Sequence, residues 1–123
     1  MKTILLVEDV PLNRDLMVQI LEEHFHILQA EDGRQGLNMA IEKKPDLVLM
    51  DLSLPEMDGW TVVQKLKNHP ATKKIPIVAL TAHAMMGDKE KAMSLGFDAY
   101  LTKPIDERLL FRTIRKLLEP QSP

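Results

Sequence analysis

The sequence predicts a doubly wound α/β fold, in which a parallel β-sheet is covered by helices on both faces. Three short apolar runs, at residues 4–7, 47–50 and 77–80, show no polar alternation, which is typical of central parallel strands buried on both sides. Strand and helix patterns alternate five times along the chain. Parallel strands joined by right-handed crossovers satisfy this alternation.

Two further strands are predicted from segments of mixed polarity. Residues 26–30, "HILQA", and residues 98–102, "DAYLT", combine apolar and polar side chains. A strand that is covered less completely tolerates such a mixture. We therefore expect these two strands nearer the edges of the sheet.

Stripes of apolar side chains at helical spacing predict the five helices and the side chains that face the core. The fourth helix should occupy much of residues 85–95 and end at Gly96, and the fifth should run over residues 105–118 until Pro120 ends it. The predicted stripes are Leu12, Leu16 and Ile20 with Met17 and Leu21 in the first helix, Leu37, Ala40 and Ile41 in the second, Val62, Val63 and Leu66 in the third, and Leu109, Leu110, Ile114 and Leu117 in the fifth.

Length and composition restrict the class of protein. The 123 residues suit one domain, expected over residues 1–119 with a short tail at 120–123. Sixteen basic and eighteen acidic side chains give a net charge of -2, so we expect neither direct nucleic-acid binding nor attachment to an anionic membrane. There is no cysteine and no apolar run long enough to cross a bilayer, which favours a soluble, cytoplasmic protein.

Five polar residues follow or end strands that should meet at one edge of the sheet. In doubly wound sheets ligands bind outside the carboxyl ends of the strands. Glu8 and Asp9 follow the first strand, Asp51 the third, Thr81 the fourth and Lys103 the fifth. The alternative interpretation is structural: Asp9 would cap the first helix, and Asp51 would form a turn.

Three neighbouring carboxylates repel one another unless a cation lies between them. Oxygen ligands favour a hard ion, and Mg²⁺ suits a few carboxylates together with water and phosphate oxygens. A lysine and a hydroxyl beside that ion could hold a phosphoryl group bound to Asp51. Asp51 is therefore predicted to be a nucleophile that accepts phosphate as an acyl phosphate.

At these residues the sequence resembles the response-regulator receiver domains of two-component signalling. Four segments carry the resemblance in order: "LLVEDVPLN", "VLMDLSLPEMDGW", "ALTAHA" and "YLTKPI". The string "ALTAHAMMGDKEKAMSLGFDAYLTKPI" is most similar to receivers of phosphorelays and hybrid kinases, whether fused or free-standing. The resemblance implies a flavodoxin-like sheet with strand order 2-1-3-4-5.

The resemblance also implies a phosphoacceptor and a metal site. Asp51 would take phosphate from a histidine kinase or a histidine phosphotransfer domain. Asp9 and Asp51 would bind Mg²⁺, or Mn²⁺ in its place, directly, and Glu8 mostly through water. The backbone carbonyl of Ser53 would complete the protein ligands.

Further residues would bind the phosphate and transmit the signal. Lys103 would pair with the phosphate, Thr81 and the Ala82 backbone N–H would hydrogen-bond it, and Tyr100 matches an aromatic rotamer switch. The Lys103–Pro104 peptide would be cis. Output would pass through the fourth helix, fifth strand and fifth helix, a surface through which the family often dimerises.

Two positions depart from the family pattern. Ser53 lies two residues after Asp51 and His83 lies two residues after Thr81, and these departures leave the lifetime of the phosphoryl group open.

Three rival functions are also considered. An aspartyl-phosphate hydrolase would need a second acid at position 53. A flavin site would need a glycine-containing phosphate loop after the first strand, whereas the segment at that place, "EDVPLN", is acidic and contains no glycine. An interaction module that works without phosphorylation would lack a site residue. We therefore expect a signalling domain that is phosphorylated on itself and is not a turnover enzyme.

Overall fold

The computed structural model describes residues 1–54, 57–82 and 84–119, so His83 and the predicted tail lie outside the described residues. Strands and helices alternate throughout this part of the chain. The strands are β1 (Thr3–Val7), β2 (His26–Ala30), β3 (Leu47–Asp51), β4 (Ile77–Thr81) and β5 (Ala99–Thr102). The helices are α1 (Pro11–Leu21), α2 (Gly33–Lys43), α3 (Gly59–Lys67), α4 (Asp88–Leu95) and α5 (Glu107–Leu118).

The five strands form one parallel sheet in the order β2-β1-β3-β4-β5. This confirms the doubly wound fold, the strand order and the placement of the two mixed strands at the edges. The first reversal of strand order lies between β1 and β3, because the chain leaves β1 for β2 on one side and returns past it to β3 on the other. Doubly wound folds bind their ligands at such a point.

Alternate strand residues supply two separate cores. Leu5 and Val48 belong to the core under α2, α3 and α4, whereas Ile4 and Leu49 belong to the core under α1 and α5, and all four side chains are fully buried. Successive residues of a strand point to opposite faces, so a run without polar residues is needed to fill both cores.

Local side-chain bonds define where several helices begin and end. Asp32, Asp58 and Asp106 each precede a helix and accept a hydrogen bond from a backbone N–H in its first turn. Gly96 ends α4 with a φ of 116°, a conformation that favours glycine. The predicted end of α4 is thus confirmed. Its first residue is Asp88, because Gly87 adopts a left-handed φ of 88° immediately before it.

Three predicted core positions are wrong. Leu12 and Leu16 of α1 are 66% and 50% exposed, and Leu109 of α5 is 42% exposed. Consecutive helical residues are rotated by about 100°. Because Met17 and Leu110 face the sheet, their neighbours Leu16 and Leu109 are turned away from it.

Two aspartates hold the amino-terminal edge of the sheet. Asp46 accepts a hydrogen bond from the Thr3 N–H at 2.7 Å, and its own N–H donates to the Thr3 carbonyl at 2.8 Å. Asp98 forms the same pair of bonds with Ile77, both at 2.8 Å. These carboxylates thus fix where β1 and β4 begin.

Across residues 1–54, 57–82 and 84–119, none of the helices combines the length and the apolar character that a membrane span requires.

Candidate phosphoacceptor and metal site

The carboxyl ends of β1, β3, β4 and β5 bring the predicted polar residues together. Glu8 follows β1, Asp51 ends β3, Thr81 ends β4, and Lys103 follows β5. Backbone hydrogen bonds continue at this edge: the Leu52 N–H donates to the Leu80 carbonyl at 3.0 Å, and the Lys103 N–H donates to the Thr81 carbonyl at 2.8 Å. The loops therefore leave the sheet from defined positions.

Glu8, Asp9 and Asp51 form an acidic cluster. One carboxylate oxygen from each lies within 4.8 Å of the others. Glu8 is only 1% exposed and Asp51 only 5%, whereas Asp9 is half-buried. Ionised carboxylates this close and this buried repel one another strongly, so the cluster requires positive charge.

Lys103 supplies one positive charge to this cluster. Its Nζ donates to Glu8 Oε1 at 2.7 Å and to Asp51 Oδ2 at 2.8 Å. Burial alone would lower the pKa of Lys103, but the hydrogen bonds to Asp51 and Glu8 and their charges raise it above the ordinary 10.5. The ammonium therefore stays charged throughout the neutral range.

Burial dominates the ionisation of Glu8. It raises the pKa of Glu8 above the ordinary value of 4.5, with a further contribution from the negative charge of Asp51. Hydrogen bonds from Lys103 and from the Val10 N–H oppose this increase without cancelling it. The ionised form of Glu8 is therefore disfavoured relative to the same group in water.

The backbone after β3 orients the Asp51 carboxylate. Asp51 Oδ1 accepts a hydrogen bond from the Ser53 N–H at 2.8 Å, so Asp51 has the predicted turn role while its carboxylate belongs to the acidic cluster. Gly59 passes close by: a Cβ there would lie 2.6 Å from the Asp51 carbonyl oxygen. Only glycine allows α3 to begin this close to the end of β3.

The capping alternative for Asp9 is wrong. The residue before α1 is Val10, and Pro11 occupies the first turn, where its missing N–H costs no hydrogen bond. The Asp9 carboxylate is instead part of the acidic cluster.

Arg14 was not identified from the sequence, although it holds the acidic segment in place. Its Nη1 donates to the carbonyls of Glu8 at 3.0 Å and Asp9 at 3.4 Å, and its Nη2 lies 3.6 Å from Glu31 Oε1. The sequence feature that could have identified Arg14 is the position of a basic side chain about one helical turn after the two acids.

The remaining predicted residues lie around the cluster. Thr81 is buried, Ala82 is exposed beside it, and the Lys103–Pro104 peptide is cis, as the resemblance implies. Tyr100 pairs with Ala79 across β4 and β5 and packs against the core under α2, α3 and α4, away from the acids.

The hydroxyl of Tyr100 is unusual. It is buried, and among the described residues it has no hydrogen-bond partner. Burial, together with the nearby charge of Asp88, raises the pKa of Tyr100 above 10.

Comparison with known proteins places these features in a family. Residues 4–115 match the family model of the response regulator receiver domain. The chain is 37% identical over 118 residues to the polar-differentiation response regulator DivK of Brucella anthropi, covering 95% of this chain and 96% of DivK. It is 41% identical over 115 residues to the response regulator PleD of Caulobacter vibrioides, covering 93% of this chain and 25% of PleD. The chain thus spans a quarter of the length of PleD.

Solved structures show the same relationship. The signal receiver domain of a signal transduction histidine kinase from Syntrophus aciditrophicus matches with a TM-score of 0.88 and 30% identity, covering 100% of this chain and 97% of that one. The receiver domain of a sensor histidine kinase from Pseudomonas aeruginosa, crystallised with magnesium in its active-site cleft, has a TM-score of 0.88 and 32% identity, covering 95% of this chain and 97% of that one. By sequence and by fold, the chain belongs to the response regulator receiver domains, the signalling modules of two-component systems.

Proposed function

We propose that the domain, taken as residues 1–119, accepts a phosphoryl group on Asp51 from a histidine kinase or a histidine phosphotransfer protein. The observation that carries this proposal is the environment of the Asp51 carboxylate. It is 5% exposed, Lys103 donates to one of its oxygens at 2.8 Å, and the Ser53 N–H donates to the other at 2.8 Å. A nucleophile held in one orientation beside a cation suits in-line displacement at phosphorus.

The transfer exchanges one bond at phosphorus for another. An Asp51 oxygen forms the new bond to phosphorus while the bond to the donor histidine nitrogen breaks, and that nitrogen retains the electron pair. The Lys103 ammonium then pairs with a phosphoryl oxygen. The Thr81 hydroxyl and the Ala82 N–H would donate hydrogen bonds to the other phosphoryl oxygens, as the resemblance implies.

The acidic cluster fits a hard divalent ion. Three carboxylates within 4.8 Å of one another provide oxygen ligands of the kind that Mg²⁺ prefers, with Mn²⁺ as an alternative. Glu8, Asp9, Asp51 and the Ser53 carbonyl would hold the ion. When bound, it would neutralise charge on the phosphoryl oxygens. The magnesium in the active-site cleft of the Pseudomonas aeruginosa relative supports this assignment.

The rival functions lack a specific observation in their favour. A hydrolase would need an acid at position 53, which is an exposed serine. The described residues include every member of the expected acidic and lysine set, which disfavours an interaction module that works without phosphorylation. We therefore propose that the domain catalyses chemistry only on itself. The absence of cysteine fits a cytoplasmic setting.

Access for the phosphodonor is supported by an apolar surface beside the site. Leu12 and Leu16 on the outer side of α1 are exposed, and Val10 between the acids and α1 is 43% exposed. Exposed apolar side chains that cluster beside a reactive group are typical of a protein-docking surface. We propose that the donor covers this part of α1.

The signal would leave through α4, β5 and α5. β4 and β5 are paired, with Thr81 opposite Thr102 and Ala79 opposite Tyr100. Movement of the Thr81 hydroxyl toward a phosphate would therefore change the space beside the Tyr100 ring. Phosphorylation would then favour one pre-existing arrangement of this surface. Exposed Met85 and Met86 suit binding of a downstream protein or of a second copy.

Intact-mass measurement tests the phosphoacceptor directly. Acetyl phosphate or phosphoramidate with Mg²⁺ should add one phosphoryl group to the wild type, and phosphorylated histidine kinases should do the same. Asp51→Asn should lose this product, because an amide is not an anionic nucleophile. Glu42→Gln, at an exposed position of α2, is the control and should keep it. An equally labile phosphorylated product in Asp51→Asn would contradict the assignment.

Amide NMR tests the switch. Beryllofluoride should shift resonances of α4 and β5 in the wild type, and these shifts should be reduced in Thr81→Ala at matched occupancy. Equal shifts in both proteins would show that the signal does not pass through the Thr81 hydroxyl.

A further inference from the structure

After its first residue, Glu107, the outer face of α5 carries charge of one sign. Every charged residue between positions 108 and 118 is basic: Arg108, Arg112, Arg115 and Lys116. Their spacing places them on one side of the helix, opposite Leu110 and the other residues that are buried in the core. Mixed signs are the usual pattern of a solvated helical face, as in "DKEK" at the start of α4.

This arrangement is electrostatically unfavourable in the isolated domain. Arg108 and Arg112 are four residues apart, as are Arg112 and Lys116, and like charges at this spacing destabilise a helix. In the part of the chain that the structure describes, none of the four cations forms an ion pair. Arg115 and Lys116 gain from the dipole at the end of α5, but Arg108 lies in its first turn, where a cation is disfavoured.

The basic face borders an open groove of about 700 Å³, which is lined by residues of α5, by Glu119 and, from the segment after α1, by His24. Phe111 lies in the groove, with the Arg115 guanidinium 5.3 Å from its ring centroid and the His24 ring in edge contact at 5.3 Å. Phe25 stacks against the same ring at 6.4 Å. Because the ring already has these partners, the groove offers cationic groups rather than a free aromatic face for a nucleobase.

Acidic residues limit the basic stretch at both ends. Glu107 and Glu119 also line the groove. Arg108 and Lys116 are eight residues apart, which corresponds to about 12 Å along a helix. A nucleic acid or an anionic membrane carries negative charge well beyond this length, so it would meet the two glutamates as well as the cations. A short acidic segment with basic flanks fits the pattern better.

We propose that this groove binds an acidic α-helix of a protein partner. Acidic side chains at positions i, i+4 and i+7 of that helix would face Arg108, Arg112 and Arg115, which have the same spacing. Basic residues at its ends would meet Glu107 and Glu119. The site extends beyond the α4–β5–α5 surface to His24, and its groove is present in the unphosphorylated domain.

A designed peptide tests the proposal. The probe is an alanine-rich helix of about 16 residues with glutamates at i, i+4 and i+7 and lysines at its ends. The control peptide has the same composition, with the glutamates distributed around the helix. We expect the first peptide to bind the full chain more tightly by fluorescence anisotropy, with amide shifts confined to α5 and the residues around His24.

Two pairs of substitutions locate the site. Arg108→Glu with Arg112→Glu should weaken peptide binding by at least about tenfold, because two attractions become repulsions. Lys73→Glu with Lys74→Glu changes net charge equally at exposed positions elsewhere and should have little effect. Arg108→Gln with Arg112→Gln provides the same test if the glutamate variant fails to fold. Asp51→Asn should bind like the wild type, so failure here is distinguishable from failure of the phosphoacceptor assignment.

Several outcomes would overturn the proposal. These are absence of peptide binding, equal binding of the two peptides, and equal weakening by the Lys73 and Lys74 changes. Tighter binding of a short DNA duplex or of phosphatidylserine vesicles, lost in the arginine variants, would identify a different class of partner instead.

Discussion

Replacing Lys103 by methionine tests the electrostatics of the site most directly. The substitution keeps an unbranched side chain of similar volume and removes only the ammonium group. Glu8 and Asp51 would then remain buried together without their shared cation, since Lys103 Nζ lies 2.7 Å from Glu8 Oε1 and 2.8 Å from Asp51 Oδ2. We expect Lys103→Met to lower the free energy of unfolding in the absence of divalent ions.

The contact distances set the size of this effect. At an effective dielectric constant of 20, each attraction amounts to about 6 kcal/mol, most of which is offset by the cost of burying the charges. Removing one partner from a buried ion pair costs about 3 to 5 kcal/mol. Because the Lys103 side chain is 21% exposed, water can replace part of its contribution, and we expect a loss near the lower limit, about 3 kcal/mol. For a domain of this size this corresponds to a Tm decrease of about 10 °C.

Thermal and urea unfolding in EDTA measure the loss, with Lys73→Met as the control. Lys73 is exposed and forms no ion pair within the described residues, so its replacement should change Tm little. Millimolar Mg²⁺ should stabilise Lys103→Met more than the wild type, because the ion then supplies the only positive charge among the carboxylates. The deficit in EDTA should be smaller at about pH 5 than at about pH 8, since protonated carboxyls need no cation. A Tm loss no larger than that of Lys73→Met, at either pH, would refute this reasoning.

Three further predictions concern single residues around the site. Asp9→Asn should weaken Mg²⁺ binding sharply in calorimetry, whereas Asp15→Asn should leave it unchanged, because Asp9 belongs to the acidic cluster and Asp15 does not. Equal affinities of the two variants would remove Asp9 from the ligand set. The raised pKa of Glu8 implies that its contribution to stability is present below about pH 4.5 and is lost as the pH rises through the folded-state pKa. In EDTA, Glu8→Gln should therefore remove the decrease in the free energy of unfolding above that pH. Parallel stability profiles of the two proteins would contradict this. Gly33→Ala should cost about 1 to 3 kcal/mol in urea unfolding, because its Cβ would clash with the Met57 carbonyl oxygen; unchanged stability would show that this carbonyl can move aside.

The sheet could be predicted from the sequence because its strands fill two cores. Every residue of a central strand such as Leu47–Asp51 is buried. Burial on both faces requires a continuous apolar run, which distinguishes such a strand from exposed segments. The acidic cluster could be predicted for a related reason. Once parallel strands are assigned, the residues that follow them must meet at one edge, whatever the details of packing.

Rotations of helices and the pairing of long side chains could not be predicted in this way. Leu12 and Leu16 repeat at helical spacing as well as Met17 and Leu21 do, and only tertiary packing decides which pair faces the sheet. Likewise, nothing in the order of residues shows that Lys103 reaches both Glu8 and Asp51, or that Arg14 turns back to hold the acidic segment.

Asp46 forms a pair of hydrogen bonds with Thr3, and Asp98 forms one with Ile77. These bonds bear on which parts of such a domain can change in sequence without loss of stability. They attach carboxylates to strand starts at the edge of the sheet opposite to the one that carries Asp51, where they stabilise the sheet away from the proposed phosphoacceptor. Under the proposed function, substitutions that change the lifetime of an acyl phosphate on Asp51 would fall on loops at the other edge, so they need not loosen these anchors. Loops at the site edge can therefore vary while these two anchors of the sheet stay unchanged.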